Sequence, residues 1–179
     1  MNKARKGRLL ILLLLLFILG GLCFYLTQRK EAETGAEQEE PLFQVTEINP
    51  ELVLQLGIIN GEESINFLRD GESWSCLEDE SAAIDAEKIS AYLLAAGTLD
   101  SENRLEGVID FSEYGLEEPA LNITLQWDSN MHNIKVGDYN SMISRYYVCI
   151  NDENVVYTID STQFYALKKT LADFEREEN

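Results

Sequence analysis

The side chains that could do chemistry are few and widely spread along the 179-residue chain. His132 is the only histidine, so a histidine-based zinc site or a Ser-His-Asp arrangement has nothing to assemble around beyond this one residue. A lone histidine beside a turn reads as a surface or half-buried strand residue. Cys23 lies in an apolar run, whereas Cys76 and Cys149 fall in strand-like segments. In an oxidising compartment Cys76 and Cys149 could form a disulfide; the alternative is two small buried residues. Closely spaced thiols of the zinc-binding kind are absent. Carboxylates are plentiful at Glu78-Asp79-Glu80, Glu117-Glu118 and Asp152-Glu153, all in turn-like stretches where a solvated face is expected. An acid–base pair for glycoside hydrolysis would need one of them in an apolar setting, and none is placed so. Asp128-Ser129-Asn130 opens like a calcium loop, but the glycine and closing glutamate do not follow. Neither a glycine-rich phosphate loop nor a Gly-x-Ser-x-Gly elbow occurs. Asn122-Ile123-Thr124 matches a glycosylation sequon in the middle of a strand. The expectation is a chain with no catalytic residues, no metal and no cofactor.

Tyr139, Tyr146 and Tyr147 gather near one loop and form a candidate contact patch. Adjacent strand residues point to opposite faces, so Tyr146 and Tyr147 cannot both enter the core of a one-sided sheet. Half-buried strand tyrosines are the plainer reading.

Charge narrows the partners. Lys+Arg number 14 and Asp+Glu 32, giving a net charge of −18. Residues 1–30 hold six of the basic groups and no acid, which leaves 149 residues with 8 basic and 32 acidic groups, net −24. Such a body repels phosphate polymers, so nucleic acid is excluded as a partner.

The elements come next. Leu9–Leu26 is eighteen uncharged residues, LLILLLLLFILGGLCFYL, about 27 Å as a helix and enough to cross a bilayer. Four basic residues precede it and two follow, which predicts a cytoplasmic N-terminus and an exported body. A cleaved signal peptide and a lipoprotein signal at Cys23 are the alternatives. Thr34-Gly35-Ala36 is a poor cleavage site among glutamates, and Leu22 is large for a lipidation signal. The expected organisation is a basic leader (1–8), a transmembrane helix (9–26), an acidic linker (27–41) and an extracytoplasmic domain (42–179).

Within that domain short strands are expected at Leu42–Ile48, Leu52–Ile59, Ser64–Leu68 and Ser73–Leu77, with turns at Asn60-Gly61 and Asp70-Gly71. Asp85 caps a helix reading AEKISAYLLAAG, with Ile84 and Ile89 as a hydrophobic staple. Phe111–Tyr114 fits one helical turn, Gly115 the left-handed position after it, and Leu116 folds back on Phe111, with Pro119 as the stop. Leu121–Trp127, His132–Val136, Arg145–Ile150 and Val155–Ile159 are further strands, with Gly137-Asp138 opening a loop. Asp160 and Gln163 form a capping box for a last helix with Phe164, Leu167, Leu171 and Phe174 as its stripe. An offset of 75 aligns Ile89 with Phe164, Tyr92 with Leu167 and Ala96 with Leu171. The expected fold class is therefore α+β: a transmembrane helix, then antiparallel strand meanders each followed by a capped helix, with a duplicated unit as one option. Any two capped helices would look this much alike without duplication.

The run Tyr114-Gly115-Leu116-x-x-Pro119, the later Val136-Gly137-Asp138, Tyr146-Tyr147-Val148 and Val156-Tyr157-Thr158-Ile159-Asp160 with its terminal helix resemble the bacterial family catalogued as domain of unknown function 4340. Trp74 in a Gly-x-x-Trp hairpin from Gly71 belongs to the same pattern, and the likeness spans about residues 44–172. A departure is the short stretch Tyr139–Ile143 after Gly137-Asp138. The resemblance implies a single-pass, membrane-anchored or exported protein, with genes beside ABC-type transporter and gliding-motility-like components. It implies no enzymatic activity and carries over no catalytic residue. Tyr114, Gly115, Leu116, Pro119, Gly137, Asp138 and Tyr157 are expected to be structural.

These readings lead to a membrane-anchored extracytoplasmic binding or accessory domain of the cell envelope, associated with an ABC-type transporter complex. It would hold the membrane through its N-terminal helix and take a protein partner in the envelope. The alternative is an enzyme acting on envelope polymers through unrecognised acidic residues.

Overall fold

Alternation of apolar and polar residues sets up the strands of the domain, and long-range pairing joins eight of them into one sheet. The computed structural model describes residues 42–177, which lie within a unit that starts at Pro41. Strands β1 (Phe43–Gln44), β2 (Gln55–Asn60), β3 (Glu63–Asp70) and β4 (Ser73–Cys76) precede helix α1 (Ala86–Gly97). Strands β5 (Asp100–Ser101), β6 (Arg104–Glu106), β7 (Leu121–Trp127), β8 (Asn130–Asn140), β9 (Arg145–Ile150) and β10 (Val155–Ile159) follow, then helix α2 (Ser161–Leu167). Eight of the strands form an antiparallel sheet in the order β4-β3-β2-β7-β8-β9-β10-β6, and β1 pairs with β5 apart from it.

Both helices and the segment 45–53 cover one face, here the helical face. Period-two alternation sends Leu56, Ile58, Ile65, Phe67, Leu121, Ile123, Leu125, Ile134 and Val136 into it, all buried. α1 starts where the Asp85 carboxylate accepts from Glu87 N and Lys88 N, satisfying two backbone donors that a helix start leaves unpaired. It lays Ile89, Tyr92, Leu93 and Ala96 on the sheet. α2 begins with the reciprocal Asp160–Gln163 capping box and buries Phe164 and Leu167. The Tyr92 hydroxyl donates to the Leu167 carbonyl at 3.0 Å, tying the two helices together.

The fold-class expectation is corrected here. Instead of two meanders each closed by a helix, the domain is mostly one antiparallel sheet with two α-helices of 12 and 7 residues. β2 pairs with β7 along its whole length, from Gln55↔Gln126 to Asn60↔Leu121, and this pairing fuses the stretches that looked like separate units. The offset of 75 fails at its third position. α2 ends at Leu167, so Leu171 belongs to a separate 3-10 turn, Leu171–Phe174, whose capping box joins Thr170 and Asp173. That break lets Phe174 turn inward, edge-on to Phe67 (4.9 Å) and Tyr92 (5.3 Å). Among the described residues no helix is long and apolar enough to cross a membrane; the segment Leu9–Leu26 lies outside them.

Other boundaries moved as well: the strand expected over Leu42–Ile48 is only Phe43–Gln44. Leu52 belongs to a 3-10 turn, Pro50–Leu52, and the strand starts at Gln55. Gly137-Asp138 is not a loop but the interior of β8, at an irregularity in its pairing with β9 between Val136 and Tyr139.

Candidate functional site

The outer face of the sheet divides into two halves of unlike surface. Over β8, β9 and β10 it carries Cys149, Val156 and Tyr147, and the segment 107–118 arches across them. Gly107 N and Val108 N both donate to the Asn154 carbonyl, at 2.9 and 3.2 Å, and fix one foot of the arch. Its other foot is the turn Ser112–Tyr114, closed by Gly115 at φ 66°. Leu116 N donates to Phe111 O and Gly115 N to Ser112 O, the Schellman pattern, and Leu116 is driven into a cluster with Val108, Cys149 and Val156.

Two glycines make the arch possible. A Cβ on Gly137 would lie 2.1 Å from the Tyr114 carbonyl oxygen, and one on Gly115 would lie 2.5 Å from Asp138 Cγ. Tyr114-Gly115 and Gly137-Asp138, far apart in sequence, are therefore two sides of one backbone contact. Tyr114 also meets Tyr147 edge-on at 4.9 Å, and the Asn140 amide donates to the Tyr147 hydroxyl.

Over β3, β2 and β7 the same face has no cover. Gln55, Gly57 and Ile59, Ser64, Asn66 and Leu68, and Asn122, Thr124 and Gln126 point away from the core on alternating positions. Most of these line an open depression of about 330 Å³, with Leu77 at its margin. Gly57 is its floor: a Cβ there would sit 3.0 Å from Asn66 Oδ1 and 3.7 Å from Thr124 Cβ. Glu78 takes both Asn66 donors, the backbone N at 2.7 Å and Nδ2 at 2.6 Å. Desolvation pushes the Glu78 carboxyl up, but the bonds from the Asn66 side chain and backbone outweigh it and hold it below the usual carboxylate range. Among the described residues no lysine or arginine forms an ion pair with Glu78.

The residues singled out in the sequence fall in different places. Cys76 lies on the helical face of edge strand β4, and Cys149 on the outer face of β9. Five strand spacings separate them, roughly 24 Å, so the proposed disulfide is ruled out. Both thiols are free and buried, and burial raises each thiol pKa. The three tyrosines do not share a surface. Tyr146 stacks on Phe164 at 3.8 Å on the helical side with Tyr139 beside it, while Tyr147 is under the arch on the other face. Tyr157 packs against the helical-face core and Pro119 stands two residues ahead of β7. His132 is half-buried on the helical face opposite Leu125, its Nδ1 3.4 Å from Asn151 Nδ2. Asp152 pairs with Lys135 at 2.6 Å. Among the described residues no group of three or more His, Cys, Asp and Glu side chains is placed to hold a metal.

The residues missed in the sequence are Gly57 and Asn66, and Glu78, expected on a solvated turn, is instead bonded to Asn66 at the margin of this face. The alternation of LNITLQW already put Asn122, Thr124 and Gln126 on one face; nothing local showed that β2 and β3 extend that face.

A sheet packed by helices on one side, half-covered on the other, and without an assembled catalytic group among the described residues defines a small sheet-based module. The chain belongs to the family described as Domain of unknown function (DUF4340), whose model matches residues 39–178. No curated protein and no solved structure matches it.

Proposed function

We propose that the chain is a binding or accessory module of the bacterial cell envelope, tethered by the apolar segment Leu9–Leu26, with its domain outside the cytoplasm and a transporter complex of the ABC type as its neighbour. The sequence supports the tether: eighteen uncharged residues with the basic excess on the N-terminal side. One observation carries the binding reading, the uncovered half of the outer face. A sheet face lined by amides, two hydroxyls and scattered apolar groups over a glycine floor offers hydrogen bonds and contact area to a protein surface.

The test is site-specific photo-crosslinking in intact cells of the native host. A photoreactive residue at Thr124, in the open half, should give a discrete adduct with an envelope protein, and one at Val156, under the arch, should give none. Equal labelling at both positions, or none at Thr124, would remove the reading.

A further inference from the structure

One end of the sheet differs in chemistry from the rest of this acidic body. The run 139–151 is the longest stretch without a carboxylate in residues 31–179, and 161–172 is another. The fold brings them together: Tyr146 stacks on Phe164, whose ring meets Tyr165 edge-on at 5.3 Å. At the tip of the β8–β9 hairpin Met142 is 89% exposed and Ile143 47%, flanked by Tyr139 at 46% and Tyr165 at 60%. Arg145 and Lys168 border this end, two of the eight basic residues in 31–179, whereas Lys169 faces α1 beside Lys88 and Asp173. Arg145 is ion-paired with Glu102, and Lys168 sits over the Phe164 ring at 5.7 Å.

The described chain also begins at this end. Phe43 pairs with Ser101, whose hydroxyl accepts from Thr158 N at 3.0 Å, and Gln163 Nε2 donates to the Asp100 carbonyl at 3.1 Å. Those contacts place the start of the domain beside the first turn of α2 and the base of the hairpin. Fifteen residues, 27–41, separate it from the apolar segment, a reach of at most about 54 Å when fully extended.

We infer that this end of the sheet docks on an anionic lipid bilayer, with Met142 and Ile143 entering the interface and Tyr139 and Tyr165 at headgroup level. Tyrosines concentrate at that depth because the ring is apolar and the hydroxyl is not. An apolar tip edged by Lys168 and Arg145 suits an interface that offers acyl chains below anionic groups. The charge distribution orients the domain as well: residues 42–179 carry 27 acidic and 8 basic groups, and the hairpin run 139–151 has no carboxylate of its own, so an anionic surface repels that tip least. The inference rests on the tether proposed above, and its test separates the two.

The full chain, with Cys23→Ser, carries an environment-sensitive fluorophore on Met142→Cys or, at the opposite end of the sheet, on Ser129→Cys. Each is reconstituted into phosphatidylcholine vesicles with and without phosphatidylglycerol and then floated. The expected result is a blue shift and quenching by lipid-borne nitroxide at position 142 only, stronger with phosphatidylglycerol and weakened by Lys168→Glu. Floated protein with equally wet probes overturns the docking and leaves the tether standing. Protein that fails to float overturns the tether, and the docking with it. A probe at 142 that is wet on pure lipid but shielded in native membranes identifies a protein cover and overturns the lipid.

Discussion

The two halves of the outer face share one continuous sheet, yet one is sealed and the other open. Under the arch the upward-pointing side chains are Cys149, Val156 and Tyr147; in the open half they are Gln55, Asn66, Thr124 and Gln126. Backbone pairing continues across the border between them, so hydrogen bonding does not decide which half is covered. Two things do. The sealed half offers apolar area to bury, and Gly137 lets the Tyr114-Gly115 backbone approach to a distance that any side chain would prevent. The open half has a glycine too, Gly57, but no segment of the described chain crosses it.

The comparison is broken most severely at Gly137. Gly137→Ala puts a methyl 2.1 Å from the Tyr114 carbonyl, so the arch must lift. A loss of at least about 3 kcal/mol is expected in urea unfolding. Cys149 should then become alkylatable in folded protein while Cys76 stays protected, because only Cys149 lies beneath the arch. Equal reactivity of the two thiols would show that the halves are not independent.

Leu116→Ala comes next. Its buried side chain fills the cluster around Cys149 and Val156, and its truncation should cost about 2–4 kcal/mol by the same measurement. A cost below about 1 kcal/mol would mean that the arch is held by its backbone contact alone.

Glu78 sharpens the contrast from the open side. Its folded-state pKa is below the ordinary value, so it binds its proton less readily in the folded chain than in the unfolded one. The stability it contributes is therefore complete above the ordinary glutamate pKa of 4.5 and is lost as pH falls through the depressed folded value. Comparing denaturation midpoints against pH, Glu78→Gln should lower the midpoint across the neutral range and flatten part of the acid limb below pH 4.5, where the two proteins converge. An unchanged acid limb would contradict the Asn66–Glu78 bonding.

The smallest effect on folding is expected at the floor of the open half. Thr124→Ala and Gln126→Ala should each change stability by about 0.5 kcal/mol or less, since neither fills the core. Both should nevertheless weaken the crosslink seen from this surface. A large loss of stability at either position would mean that the open half is part of the packing and not a surface held ready for a partner.

Much of this arrangement was legible from the chain. Asp85 and Asp160 announced their helices because a cap is a contact between residues two or three apart. The turn at Phe111–Leu116 was readable for the same reason. Gly137 was misread as loop because its role lies in a contact with Tyr114, more than twenty residues away. The helix expected through Phe174 stops at Leu167, because Phe174 is needed against Phe67 and Tyr92, partners in other elements. The pairing of Cys76 with Cys149 failed because strand order and facing are invisible in the local pattern.

The sequence by itself determined the caps, the turns, the alternation that gives each strand two faces, and the acidic balance of the body. Those are short-range or summed properties, settled within a few residues or by counting. Only the tertiary structure decided that β2 lies beside β7, that one arch seals half of the outer face, and that two carboxylate-free stretches meet at one end. Alternation has a period of two and names a face, but it does not name a neighbour. Neighbours are chosen by pairings between distant segments, here by the match of β2 to β7 and by two glycines that let separate stretches of backbone touch.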